Sequence, residues 1–253
     1  MAFLGVQKSL RGRCWVGPGP EVGRVSQAMQ QTTDLPGPLC QTLARLGVPA
    51  NEAELYLNPR LRDLLPDPRG LRDMERAAGR FVTASLQGQK IAVFADYDVD
   101  GGASAALLLN WLRAMGRDAT LYVPDRIEEG YGPNTPAMQK LAHDHDLIIC
   151  VDCGTLSHQP IAAATDADVI VLDHHLGGET LPAALAVVNP NRQDESGALA
   201  HLCAAAVVFL MLVEANRQLR VADKTGPDLM AMLDLVALAR EVGKGTLELF
   251  QSD

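Results

Sequence analysis

The chain has 253 residues, 47% of them hydrophobic and 4% aromatic, and a formal net charge of −9. That length buries a full core, in one large domain or in one domain with a smaller module, and the composition predicts a core of Ala, Leu and Val. The acidic balance argues against a simple charge-driven nucleic-acid binder, whose affinity comes from Lys and Arg displacing counterions, but leaves room for an enzyme whose clustered acids are offset by bound cations.

No apolar stretch reaches transmembrane length, so no membrane partner is expected. The N-terminus has no basic region leading into an apolar core and does not read as a signal peptide. Five cysteines at irregular spacing predict reduced thiols and a cytoplasmic location.

Residues 1 to about 70 read as irregular and helical, with loop punctuation at Gly17–Pro20 (GPGP) and Pro36–Pro38 (PGP). Asn51 with Glu54 predicts a capping box opening a short helix that stops at Asn58-Pro59, and Pro66–Pro68 marks a turn. Arg60, Arg62, Arg69, Arg72, Arg76 and Arg80 alternate with Asp63, Asp67, Asp73 and Glu75, which predicts a solvated helix face rather than a phosphate-tracking patch. Apolar spacing predicts a helix over 71–86.

From Ile91 the pattern alternates strand and helix, the mark of a parallel sheet with crossover helices. Strands are predicted at 91–95, 119–123, 147–151, 169–172 and 185–188, and helices at 103–115, 135–143 and 157–165. Core helices follow at about 199–217 and 228–240. The expected division is an irregular or helical N-terminal segment (1–75), an α/β domain with a helix-flanked parallel sheet (76–239) and a divergent tail (240–253).

Three of the apolar runs end in chemistry. Ile91–Ala95 leads into Asp96-Tyr97-Asp98-Val99-Asp100-Gly101-Gly102. Leu147–Val151 leads into Asp152-Cys153-Gly154, and Val169–Leu172 into Asp173-His174-His175. In an extended segment Asp96, Asp98 and Asp100 share a side, and carboxylates so crowded repel one another unless a cation with oxygen ligands binds them. The two glycines are expected to turn the backbone sharply. One acidic residue capping the next helix would explain one aspartate, not three. In an open parallel sheet, ligands bind beyond the strand C-termini, so the three motifs are placed to meet. Imidazole with carboxylate suits manganese or a similar ion, and Asp173 reads either as a ligand or as the group orienting an imidazole.

Other motifs carry less. Cys150 and Cys153 lack the second pair that zinc would need, and burial explains Cys150. His143–Asp146 (HDHD) sits at a helix end where such residues are solvated. Neither a nucleophile elbow nor a Walker loop is present. Arg126, beside the proposed site, is placed to contact phosphate and Tyr131 to stack on a base.

Together these motifs resemble the DHH phosphoesterase superfamily, and within it the bacterial single-strand-specific exonucleases. The matching runs are 95–101, Pro124–Gly132 (PDRIEEGYG), Val151–Gly154, Leu172–His175, Asn189–Asn191 and Leu202–Phe209; Leu57–Pro68 is similar to the exonuclease branch in particular. The resemblance implies metal-dependent 5′–3′ hydrolysis of single-stranded DNA in repair and recombination. It implies two divalent ions, manganese or magnesium, held by Asp98, Asp100, Asp152 and His174 with Asp96 lining the site. His175 would contact the scissile phosphate. Other phosphoesterases of the superfamily, acting on oligonucleotides, cyclic dinucleotides or pyrophosphate, and a non-catalytic binding module are the alternatives.

Two departures stand out. Ala204-Ala205-Ala206 occupies the place of the family's Gly-Ala-Gly. After Ala239 the family continues with a Thr-Val/Ile-Ala-Asp run whose Asp is a ligand, whereas this chain has Arg240. The resemblance therefore implies an N-terminal or truncated form, with at most one well-held ion and weak, distributive cleavage.

Overall fold

The structure, a computed structural model, describes residues 2–250, with side chains through Val242. The last three residues of the divergent tail expected over 240–253 lie outside the described residues. The chain forms two compact units, Met1–Pro66 and Asp67–Asp253.

In the first unit, helices α1 (Pro20–Thr32) and α2 (Gly37–Arg45) pack around Met29, Cys40, Leu43, Val48 and Ala53. Two short helices follow, α3 (Ala53–Leu57) and α4 (Leu61–Leu64). The capping box does not form: Asn51 lies inside a 3₁₀ turn, Ala50–Glu52, whereas an N-cap requires extended backbone.

The second unit is a five-stranded, wholly parallel sheet. Its strands are β1 (Ile91–Ala95), β2 (Thr120–Tyr122), β3 (Leu147–Val151), β4 (Asp168–Leu172) and β5 (Ala186–Val188), in the order β2-β1-β3-β4-β5. The central strands are apolar throughout because helices cover both faces. Ala92, Phe94, Ile148, Cys150 and Val171 meet Met138 and Leu141 of α7 (Thr135–Asp144) and Ile161 of α8 (His158–Ala162). On the other face lie α5 (Met74–Gln87), α6 (Val99–Ala114) and α9 (Ala204–Val221). There the rings of Trp111 and Phe81 meet at a 46° tilt with centroids 4.8 Å apart, and the buried Trp111 indole donates to Asn216 Oδ1 at 2.9 Å. Helix α10 (Leu233–Phe250) packs on α6 and begins five residues later than the pattern suggested, after a 3₁₀ turn at Met230–Met232.

The arginine-rich stretch is not merely solvated. Arg80 is largely covered and joins Asp168 at 2.6 Å, Gln89 and the Asp146 carbonyl. Arg72 pairs with Asp194, and Arg76 with Asp73. Arg80 ties α5 to the sheet, Arg72 ties the turn before α5 to the loop at Asp194, and the Arg76 pair stays local to the helix start. No helix among the described residues is long and apolar enough to cross a membrane.

Candidate metal centre

Strand register builds the site. Ala95 pairs with Val151, Val151 with Leu172, and Leu172 with Val188. The next residue of each strand therefore falls in one row: Asp96, Asp152, Asp173, Asn189. The amides of Asp96, Asp152 and Asp173 extend the ladder by donating to Val151, Leu172 and Val188 at 3.4, 3.0 and 3.1 Å. The chain leaves β1 towards β2 on one side and β3 lies on the other, so Asp96 and Asp152 flank the point where strand order reverses. That crevice is where open α/β sheets bind ligands.

The acidic turn is not extended through Asp100. Asp98 is the N-cap of α6, accepting from the Gly101 amide at 2.9 Å, and Asp100 lies in the first helical turn. The glycines do not turn the chain either, because both are helical. Gly101 is required for a different reason: a Cβ there would stand 2.4 Å from the Asp96 carbonyl oxygen. Asp100 reaches across to α9 and accepts from the amides of Ala204 and Ala205, both at 2.8 Å. It thus satisfies orphan donors at that helix N-terminus, where a negative charge is favoured. Helix capping and crowding of acids are both real, and Asp98 and Asp100 do both.

Asp152 is the centre of the cluster. It is 1% exposed, takes a left-handed φ of 59°, and neither carboxylate oxygen has a hydrogen-bond partner. Burial first, then the charges of Asp100 and Asp98, push its pKa up to about 10. Asp96 is also buried, with Oδ1 unpartnered, and burial raises its pKa too. Unpartnered buried carboxylate oxygens are costly unless something compensates them. Asp96, Asp98 and Asp152 can each place an oxygen within 4.8 Å of the others; Asp152, His174 and His175 form a second such group. His174 Nε2 lies 3.2 Å from Asp152 and 3.6 Å from Asp100. Oxygen-rich ligands with imidazole fit a divalent manganese- or magnesium-type ion.

Asp173 does something else. Its Oδ1 accepts from the His174 amide at 2.7 Å, the His175 amide at 3.2 Å and His175 Nδ1 at 2.8 Å, while Oδ2 accepts from the Thr155 amide at 3.0 Å. Burial would raise its pKa, but the bonds from His175 and Thr155 outweigh it and hold Asp173 well below the usual carboxylate range. The same bond raises the pKa of His175. The Tyr131 hydroxyl donates to the Asp152 carbonyl at 3.2 Å and stands 3.3 Å from His175 Nε2. Burial, then the charges of Asp173 and Asp152, raise its pKa.

Asn189 donates to Thr155 Oγ1 and to the His175 carbonyl, both at 2.8 Å, and its Oδ1 accepts from the Asn191 amide. Asn191 in turn donates to the His174 carbonyl. The Asn189–Asn191 run therefore clamps the histidine loop. Thr155 and the α9 amides were not singled out from sequence, since a backbone donor has no sequence signal.

Arg126 lies at the rim, its guanidinium 4.9 Å over the Tyr97 ring. Cys150 is buried, its pKa pushed up to about 12 by that burial, and plays no part. The His143–Asp146 group serves the opposite edge of the sheet: His145 bonds the Leu141 carbonyl and Thr120, and Asp146 accepts from the Lys90 amide. Arg240 donates to the His201 carbonyl at 2.7 Å, in the loop leading to α9.

The family model for the DHH family, N-terminal domain, matches residues 90–239. The single-stranded-DNA-specific exonuclease RecJ of Dickeya dadantii is 36% identical over 217 residues, 81% of this chain and 38% of that protein. A crystal structure of exonuclease RecJ bound to manganese matches at a TM-score of 0.57 and 33% identity, over 69% of this chain and 43% of the other. RecJ from Thermus thermophilus in complex with Mn2+ matches at 0.64 and 27% identity, over 88% of this chain and 30% of the other. The chain spans less than half the length of each of these relatives. The matched span contains all three strand-end motifs and the crevice they build, and the chain belongs to the DHH family.

Proposed function

We propose that this chain is the metal-binding part of a RecJ-like exonuclease that hydrolyses phosphodiester bonds in single-stranded DNA from the 5′ end, working in cytoplasmic DNA repair and recombination. One observation carries the reading: neither oxygen of a buried aspartate, Asp152, makes a hydrogen bond at the sheet's switch point, with His174 Nε2 at ion-pair distance and Asp96, Asp98 and Asp100 around it.

Asp96, Asp98, Asp100, Asp152 and His174 would hold two divalent ions, manganese or magnesium, and Asp152 belongs to both candidate ligand groups. Such ions, when bound, activate water at neutral pH and neutralise a phosphate. The chain's own groups do the rest. His175, oriented by Asp173 and with its pKa raised by that bond, would donate to a non-bridging phosphate oxygen as charge develops there. Tyr131, anchored on the Asp152 carbonyl, would fix the His175 ring edge and offer a face to a base. Arg126 would meet the backbone phosphate. Asp98 and Asp100 keep their carboxylates in place by capping α6 and α9. The resemblance sets the family's further carboxylate at the fourth residue after Ala239, where this chain has Gly243 instead, so the second ion would be held weakly and cleavage would be slow and distributive.

The test is a manganese-supplemented assay on single strands labelled at the 5′ or 3′ end. Early release of the 5′ label as mononucleotide, with duplex spared, is expected. Metal-independent cleavage, or turnover confined to cyclic dinucleotides or pyrophosphate, would overturn the reading.

A further inference from the structure

We propose that the first compact unit carries a separate binding groove for single-stranded nucleic acid, in which Trp15 stacks on a base and Arg11, Arg13 and Arg45 hold flanking phosphates. The proposal rests on the single-strand substrate read above, and it adds a site remote in sequence from every residue assigned there.

Backbone bonds build the groove. The Phe3 amide donates to the Trp15 carbonyl at 2.8 Å, the Trp15 amide to Val6 at 3.0 Å, and the Ser9 amide to Arg13 at 2.8 Å. Gly12, at a φ of 72°, closes the turn by donating to the Ser9 carbonyl, and Ser9 Oγ accepts from the Arg13 amide. The two legs of this arm present Phe3, Leu10 and Trp15 together with the three arginines around an open groove of about 820 Å³. Gly17 admits the Phe3 ring, which would stand 2.6 Å from a Cβ placed there.

Two features select the occupant. Trp15 remains 46% exposed and Phe3 42%, although each is anchored through its backbone. None of the guanidinium groups of Arg11, Arg13 and Arg45 is in an ion pair among the described residues, whereas Arg24 and Arg62 of the same unit pair with Glu21 and Asp63. Within residues 1–45, Lys8, Arg11, Arg13, Arg24 and Arg45 face only Glu21 and Asp34, in a chain whose net charge is −9. An exposed indole among unpaired guanidinium groups matches a polyanion with free aromatic faces. Single strands offer unstacked bases to such a platform, and duplexes do not.

The test uses the full chain in EDTA, so that cleavage cannot contribute. Trp111 is fully buried and out of reach of a stacking base, so contact quenching on binding reports on Trp15. Titration with oligo(dT) should quench Trp15 emission, and less so as salt rises. The triple variant Arg11→Gln, Arg13→Gln, Arg45→Gln should bind at least tenfold more weakly, with a salt slope shallower by roughly 2. Read by fluorescence anisotropy of dye-labelled oligo(dT), which needs no tryptophan, Trp15→Leu should lose about tenfold in affinity and Trp15→Phe should largely recover it, which separates stacking from a folding defect. Asp98→Asn should leave this binding unchanged while removing cleavage. Quenching equal with duplex, with tripolyphosphate or with an acidic peptide would overturn the proposal. So would manganese-dependent cleavage of oligo(dT) without any quenching in EDTA, a result that leaves the nuclease reading standing. Quenching without cleavage would sink the nuclease reading and keep the groove.

Discussion

Asp173 binds His175 at two points, accepting from the ring Nδ1 at 2.8 Å and from the backbone amide at 3.2 Å through one carboxylate oxygen. The first residue of the strand-end motif thus organises the two histidines after it. A carboxylate here fixes the ring's orientation and favours the imidazolium, as outer groups at metal sites do.

Asp173→Asn should therefore keep the fold and lose function. The single amide oxygen can accept from the His174 and His175 amides, but the NH2 then faces the Thr155 amide and loses that bond, and no charge is supplied to His175. The pKa of His175 should fall, visible in an NMR titration of its ring, and turnover should fall about 10- to 100-fold. An unchanged His175 titration would contradict this role.

Asp98 has two jobs, and two substitutions separate them. Its carboxylate caps α6 through Gly101 and belongs to the acid cluster. Asp98→Ala removes the cap and should cost about 1 kcal/mol, against a gain from relieved repulsion around Asp152. Asp98→Asn keeps a cap acceptor and removes the charge, so the metal-free protein should be as stable as the parent or more so while manganese affinity collapses. Calorimetry and thermal melts in EDTA decide it. Unchanged affinity in Asp98→Asn would remove Asp98 from the ligand set.

The pKa shifts fix a sign for stability against pH. Asp152, raised to about 10, holds a proton in the folded chain that the unfolded chain releases near its ordinary value of 3.8. His175 is raised as well. Both contributions are fully present below the unfolded pKa and are lost as pH rises through the folded one. Between pH 6 and 8 the folded, metal-free chain thus binds more protons, so its stability falls with pH, on the order of 1 kcal/mol per unit from Asp152. The lowered Asp173 acts with the opposite sign only below about pH 4, outside that window. Melts in EDTA should drop by several °C from pH 6 to 8, and saturating manganese should reverse the trend because metal displaces those protons. A flat profile in EDTA would mean that Asp152 is ionised without a cation.

Much of this site was legible because the sheet is parallel and covered on both faces. Each buried strand reads as an unbroken apolar run, and the first polar residue after it must fall on one edge; that placed Asp96, Asp152 and Asp173 in advance. What periodicity could not show was which carboxylates have partners. Asp98 and Asp100 cap helices through backbone amides of Gly101, Ala204 and Ala205, and amides have no residue-type signature. The capping box at Asn51 was misread for a similar reason: local residue type cannot reveal that the backbone there enters a 3₁₀ turn. Arg80 looked like surface because its partners, Asp168 and the Asp146 carbonyl, lie far along the chain.

The central claim is that the unpartnered oxygens of Asp152 exist to meet a divalent ion. Anomalous diffraction from a crystal soaked in manganese tests it most directly. The account predicts a strong peak bounded by Asp152, Asp96 and Asp98, with a second, weaker one towards His174. A fully occupied soak with no peak near Asp152, or with peaks only at surface acids, would contradict it.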